Sequence, residues 1–126
     1  MKKTTNQKFH VYILRSESNP QMVKVGKANN LKRVPYFNKA GYAGVTDWAQ
    51  VFSLPTDSNE SALALESMIC AKLASQGYLR PKIMWDDLTK PGRRVGATEC
   101  YCCHIDHALR VANEMARVHR EFVCCA

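Results

Sequence analysis

Residues 8–26 read Lys8-Phe9-His10-Val11-Tyr12-Ile13-Leu14-Arg15-Ser16-Glu17-Ser18-Asn19-Pro20-Gln21-Met22-Val23-Lys24-Val25-Gly26. In the first part of this stretch both alternating sets hold apolar side chains: Phe9, Val11 and Ile13 in one, Tyr12 and Leu14 beside His10 in the other. That pattern predicts a strand over 8–15 covered on both faces. Ser16 to Gln21 has the composition of a turn. Met22 to Val25 predicts the returning strand, with Gly26 at its end. The two are expected to form an antiparallel hairpin with a longish loop.

Working outward, Asn29 or Asn30 offers a helix cap before Leu31-Lys32-Arg33-Val34. Pro35 is tolerated only in a first helical turn, so this helix should be short or begin late. Trp48 to Leu54 predicts a third strand closed by Pro55. The clearest helix covers about 58–75. Asp57 with Glu60 has capping-box spacing, and Ala62, Leu65, Ile69 and Leu73 repeat on one face. Glu66 falls at the border of that stripe, and Gly77 is a stop signal. Residues 78–96 read as a basic, irregular loop with Arg80, Lys82, Lys90, Arg93 and Arg94, broken by Pro81, Pro91 and Gly92. A short strand is expected at 98–102. A last helix follows over about 104–121, with Ile105, Ala108, Leu109, Ala112, Met115 and Ala116 on one face. The order β-β-α-β-α-β-α predicts one α/β (α+β) domain over 1–126, a mainly antiparallel three- to four-stranded sheet flanked by helices.

At 126 residues, 46% hydrophobic and 23% charged, the chain is long and apolar enough to bury a core without disulfides. No apolar run approaches the roughly 18 residues of a membrane helix. Met1 to Asn6 has no apolar core after its lysines, so neither a secretory signal nor a membrane partner is expected, and a cytoplasmic location is. Eighteen Lys and Arg against eleven Asp and Glu leave a net charge of +7, which favours a polyanionic partner over a merely solubilising surface.

The residues His10-Val11-Tyr12, then Lys24-Val25-Gly26-Lys27-Ala28-Asn29-Asn30-Leu31-Lys32-Arg33, then Ala64-Leu65-Glu66 stand in an order that resembles the GIY-YIG nuclease superfamily. The likeness is to the divergent branch in which lysine replaces the second motif tyrosine. It spans about residues 8–75 and extends more loosely to Thr98-Glu99-Cys100-Tyr101. Two positions depart from the family pattern. His10 stands where the first motif has glycine, and Arg33 follows Gly26 by seven residues where eight is usual. One residue on a helix turns a side chain by about 100°, so either the turn before this helix is shortened, or Lys32 or Arg33 reaches the site by another path.

The resemblance implies a metal-dependent endonuclease that hydrolyses DNA, of a kind often carried by phages and mobile elements. Glu66 corresponds to the glutamate that holds one Mg²⁺ or Mn²⁺, an arrangement typical of Mg²⁺ with waters and a substrate phosphate. Tyr12 corresponds to the tyrosine that takes a proton from the attacking water. A free phenol has a pKa of about 10, so Lys24 and the cation would have to favour the phenolate. Arg33 would pair with the scissile phosphate, His10 could assist proton transfer, and Gly26 allows a tight turn beside the site. Lys27, Lys32, Arg80, Lys82, Arg93 and Arg94 are the candidate nucleic-acid contacts, with Trp85 as a base-stacking platform or else folded onto the core.

The alternatives are a catalytically inactive nucleic-acid-binding module and a protein-interaction or inhibitor domain on the same fold. DNA against RNA, and a homodimer or protein partner, are left open. Cys100, Cys102, Cys103, His104 and His107 could bind Zn²⁺, but C-x-C-C-H-x-x-H lacks Cys-x-x-Cys spacing. The favoured reading is thiols packed as small apolar residues and histidines on a helix surface. Cys124 and Cys125 at the tail are expected to be oxidation-prone.

Overall fold

The computed structural model describes residues 9–28 and 33–125, with side chains described for 9–28 and 34–121. Its elements are β1 (Phe9–Ser16), β2 (Met22–Ala28), α1 (Arg33–Ala40), a 3-10 turn (Tyr42–Gly44), β3 (Trp48–Thr56), α2 (Asn59–Ser75), β4 (Ile83–Asp86), β5 (Arg94–Ala97), β6 (Cys100–Cys102) and α3 (Ile105–Cys125). Four strands form an antiparallel sheet in the order β3-β1-β2-β6, and β4 and β5 form a separate two-stranded ribbon. The fold is α+β.

The hairpin of residues 9–28 is the centre of the molecule because both of its faces are apolar. Val11, Ile13, Val23 and Val25 point to one side and are buried under α2 and α3. Tyr12, Leu14, Met22 and Ala28 point to the other, where Phe37, Ala40, Trp48 and Trp85 cover them. Each of these fully buried aliphatic side chains contributes about 1.5–3 kcal/mol relative to exposure. The stripe Ala62, Leu65, Ile69 and Leu73 of α2 packs there against Ala108, Ala112 and Ala116 of α3, whose small side chains allow close helix approach.

Several local expectations are corrected. Gly26 does not end β2. The strand continues to Ala28 because its backbone stays in register with β1, pairing Gly26 with Tyr12, Lys27 with Val11 and Ala28 with His10. Pro55 lies inside β3, opposite His10, and is tolerated because β3 is an edge strand with one unpaired side. Helix α1 is described over Arg33–Ala40, with Pro35 near that start; Lys32, Asn29 and Asn30 lie outside the described residues.

The cap of α2 is Ser58, not Asp57. Ser58 has the extended backbone of a cap (φ −153°, ψ 164°), and its hydroxyl accepts from the Ser61 amide at 3.0 Å. Ser58→Ala is therefore expected to cost about 1 kcal/mol in chemical denaturation, and Asp57→Ala less. At the other end Gly77 (φ 85°) closes a Schellman motif, its amide donating to Ala74 O and that of Tyr78 to Leu73 O.

The largest correction concerns residues 78–96. Far from being irregular, they hold the β4–β5 ribbon, in which Ile83, Trp85, Val95 and Ala97 face inward while Met84, Asp86, Arg94 and Gly96 face out. Pro91 and Gly92 serve its turn instead of breaking an element. The element order is thus β-β-α-β-α-β-β-β-α. No helix among the described residues is long and apolar enough to cross a membrane.

Candidate active site

Strand β2 sends its two lysines to opposite faces of the sheet. Lys24 shares the α1 face with Met22, Gly26 and Ala28, and Lys27 points toward α2, where its Nζ donates to Asn59 Oδ1 at 3.0 Å. The short β6 pairs only with Met22 to Lys24. One more bond, from the Val25 amide to Glu99 O at 3.3 Å, ends the contact. Beyond it no strand pairs with this side of β2 among the described residues.

On the α1 side the Lys24 ammonium is held in four ways. It lies 3.1 Å from Glu99 Oε1, donates to Val25 O at 3.3 Å, and sits over the rings of Tyr42 (5.0 Å) and Phe37 (5.6 Å). The Lys24 side chain is only 5% exposed, whereas that of Glu99 is 43% exposed. The charge is therefore buried from the lysine end and open to water at the carboxylate end.

On the α2 side Glu66 is 8% exposed, and its carboxylate makes no hydrogen bond or ion pair among the described residues. Burial raises its pKa above the ordinary glutamate range, and the nearby charge of Glu99 raises it further, while Lys24 and Lys27 oppose the shift. Glu66, Glu99, Lys24 and Lys27 thus share one electrostatic neighbourhood. Two carboxylates whose charges repel, one of them desolvated and without a partner, suit a hard divalent cation that would relieve both penalties. Glu66 would hold it, with the charge of Glu99 nearby. No group of three or more His, Cys, Asp or Glu among the described residues is placed to hold a metal, so water and substrate oxygens would complete the coordination.

Tyr12 approaches from the opposite face to Glu66. It is 2% exposed and its ring covers Gly26. A Cβ at position 26 would lie 2.6 Å from Tyr12 Oη, so glycine is required there by the tyrosine and not by a turn. The hydroxyl accordingly lies where β2 has lost β6 as a neighbour. Tyr42 adjoins Tyr12, Glu99 and the thiol of Cys100, and burial pushes its phenol well above the ordinary range. His10 is half-buried on the same face as Tyr12, with Nδ1 3.5 Å from Ser53 Oγ. Arg33 is the first described residue of α1, and its side chain lies outside the described residues.

The remaining basic candidates separate. Arg80 is half-buried near Cys100, and its amide donates to Cys100 O at 3.0 Å. Arg94 pairs with Asp86 at 3.0 Å on the exposed face of the ribbon, and Lys82 and Arg93 are exposed there too. Trp85 is 6% exposed and packs edge-on against Tyr42 at 5.4 Å, so it offers no stacking platform.

The Cys–His run is split by the fold. Cys100 is buried among the α1-side residues and Cys103 among the α2–α3 residues, while Cys102 is exposed. His104 Nδ1 accepts from the Asp106 amide at 3.0 Å and caps α3, and His107 Nε2 lies 2.8 Å from Gln76 Oε1. Burial raises the thiols of Cys100 and Cys103 and takes Cys70 up to about 11, which disfavours the reactive thiolate. The side chains of Cys124 and Cys125 lie outside the described residues.

Sequence reading did not single out Glu99, Tyr42 or Asn59 as site residues. Only Thr98-Glu99-Cys100-Tyr101 carried a signal for Glu99, as the loose end of the resemblance. Lys24 and Glu99 are 75 positions apart, and no local periodicity reports such a contact. Comparison of the chain with protein-family models, with curated proteins and with solved structures finds no match in any of the three.

Proposed function

We propose that this chain is a metal-dependent endonuclease of the GIY-YIG type that hydrolyses DNA phosphodiester bonds. The observation that carries this reading is Glu66, a nearly buried carboxylate without a hydrogen-bond or ion-pair partner among the described residues, set beside Glu99 and two lysines. The order of Tyr12, Lys24, Gly26, Arg33 and Glu66 along the chain, and the net charge of +7, support it.

A bound Mg²⁺ or Mn²⁺ supplies positive charge at the scissile phosphate and acidifies a water. Lys27, tethered to Asn59, adds a cation beside a non-bridging oxygen. Lys24 does not reach out to substrate; it orients Glu99 and lowers the cost of two neighbouring carboxylates. Proton acceptance falls to Tyr12, whose hydroxyl lies over Gly26 of β2. Arg33 as the phosphate-pairing residue rests on the resemblance.

A second reading is a nucleic-acid-binding module that does not cut. It is favoured by the burial of Tyr12, which leaves its ring 2% exposed. Incubation of supercoiled and branched DNA with the protein in Mg²⁺ or Mn²⁺ is expected to yield nicked or linear product, and EDTA is expected to stop it. Salt-sensitive DNA binding with no product in either metal would establish the second reading instead.

A further inference from the structure

The β4–β5 ribbon supplies no charged group to the site described above, yet it carries a group of exposed cations. Its inner face is apolar and packed. Its outer face shows Met84, 46% exposed, opposite Gly96, with the aliphatic stem of Lys82 lying across the glycine and the Arg94–Asp86 pair toward the turn. The turn of residues 87–93 is internally braced. The buried Asp87 carboxylate accepts from the Thr89 amide (2.9 Å) and hydroxyl (2.5 Å). Backbone bonds of 3.0 Å join Asp87 to Arg93, Lys90 to Asp87 and Arg93 to Lys90, and the Leu88 amide donates to Ala40 O at 2.9 Å. The side chains of Lys82, Lys90 and Arg93 make no hydrogen bond or ion pair among the described residues. The braced ribbon therefore presents Lys82 beside the exposed Met84 and, at its turn, the exposed Lys90 and Arg93, whose charges also act on Asp87.

We propose that this ribbon docks in the major groove of duplex DNA, with Lys82, Lys90 and Arg93 on the flanking phosphates and Met84 toward the groove floor. The inference rests on the nuclease reading for its substrate class. The B-form major groove, about 12 Å wide, admits a two-stranded ribbon. The deep, narrow groove of an RNA duplex does not. Single strands are gripped by exposed aromatics, and the ribbon's own aromatic, Trp85, faces inward. An exposed apolar side chain at the centre matches the thymine methyl groups that line this groove. Ala97, the last residue of β5, is two positions from Glu99 along the chain, so the base of the ribbon leads into the segment that carries this carboxylate.

The test is fluorescence anisotropy in EDTA, across a salt series, with a labelled DNA duplex, its single strand and the matching RNA duplex. The unaltered protein is expected to bind the DNA duplex tightest. Lys90→Ala/Arg93→Ala is expected to lower that affinity about tenfold or more and to reduce the salt slope by about two. Met84→Ala is expected to weaken duplex binding with the slope unchanged, because it touches no phosphate. The altered side chains are exposed and make no hydrogen bond or ion pair among the described residues, so melting temperatures should stay near that of the unaltered protein. If the double variant keeps the original affinity and slope, or if RNA duplex or single strand is bound as tightly as DNA duplex, the ribbon proposal falls and the nuclease reading stands. If the unaltered protein binds no nucleic acid, both fall.

Discussion

Glu66→Gln is expected to abolish metal-dependent cleavage, by about a thousandfold or more, while raising the melting temperature at pH 7. The two effects have one cause. Burial and the charge of Glu99 raise the Glu66 pKa in the folded chain, so between the ordinary glutamate value and the raised one the folded state holds a proton that the unfolded state has released. Stability then falls as pH rises through that window and stays reduced above it. Glutamine carries no charge to desolvate, so the variant escapes this loss at neutral pH. The gap between variant and unaltered protein should close as pH falls below the ordinary glutamate range. Mg²⁺ or Mn²⁺ should raise the melting temperature of the unaltered protein and not of the variant, because binding to the folded state alone stabilises it. Thermal melts from acid to neutral pH, with and without metal, together with a cleavage assay, read all of this. A variant that still cuts, or one that melts lower at pH 7, would sink the assignment of Glu66 as the cation's carboxylate.

The second large effect concerns the Lys24–Glu99 pair, and it is asymmetric. Glu99→Ala leaves the Lys24 ammonium inside the protein with Val25 O, two rings and the more distant charge of Glu66 around it. Removing one partner of a buried pair costs about 3–5 kcal/mol, and the lower end is expected here because those contacts remain. Lys24→Met should cost less, because Glu99 is 43% exposed and its carboxylate is rehydrated. Lys24→Met/Glu99→Gln should recover most of what Glu99→Ala loses, since it leaves no unpaired charge. Urea denaturation of the three variants forms the comparison. Equal losses for the two single variants would mean that the charge is not buried from the lysine end.

Some of this was legible along the chain. Alternation through Phe9–Leu14 and Met22–Val25, and the stripe Ala62, Leu65, Ile69 and Leu73, are periodic signals within single elements, and they mark the hairpin and α2 directly. The border position of Glu66 was legible for the same reason. Adjacent alternatives were not: Asp57 and Ser58 can both cap a helix, and only the backbone angles selected Ser58. The ribbon was hidden because its strands have four residues each and are flanked by Pro81, Pro91 and Gly92. Its inward set Ile83, Trp85, Val95 and Ala97 acquires meaning only from the aromatic surface of Phe37, Tyr42 and Trp48 that covers it.

Sequence by itself determined the central hairpin, the helix that carries Glu66, the excess of positive charge and the order of the motif residues, because each is a local or additive property of the chain. Tertiary structure alone decided that Lys24 faces away from α2 yet meets Glu99, that Tyr12 is seated over Gly26, that Trp85 turns inward, and that Glu66 makes no hydrogen bond or ion pair among the described residues. Those outcomes depend on which faces the sheet covers and on where β6 stops pairing with β2. Such contacts join residues tens of positions apart, and they exist only once the strands have been brought into register.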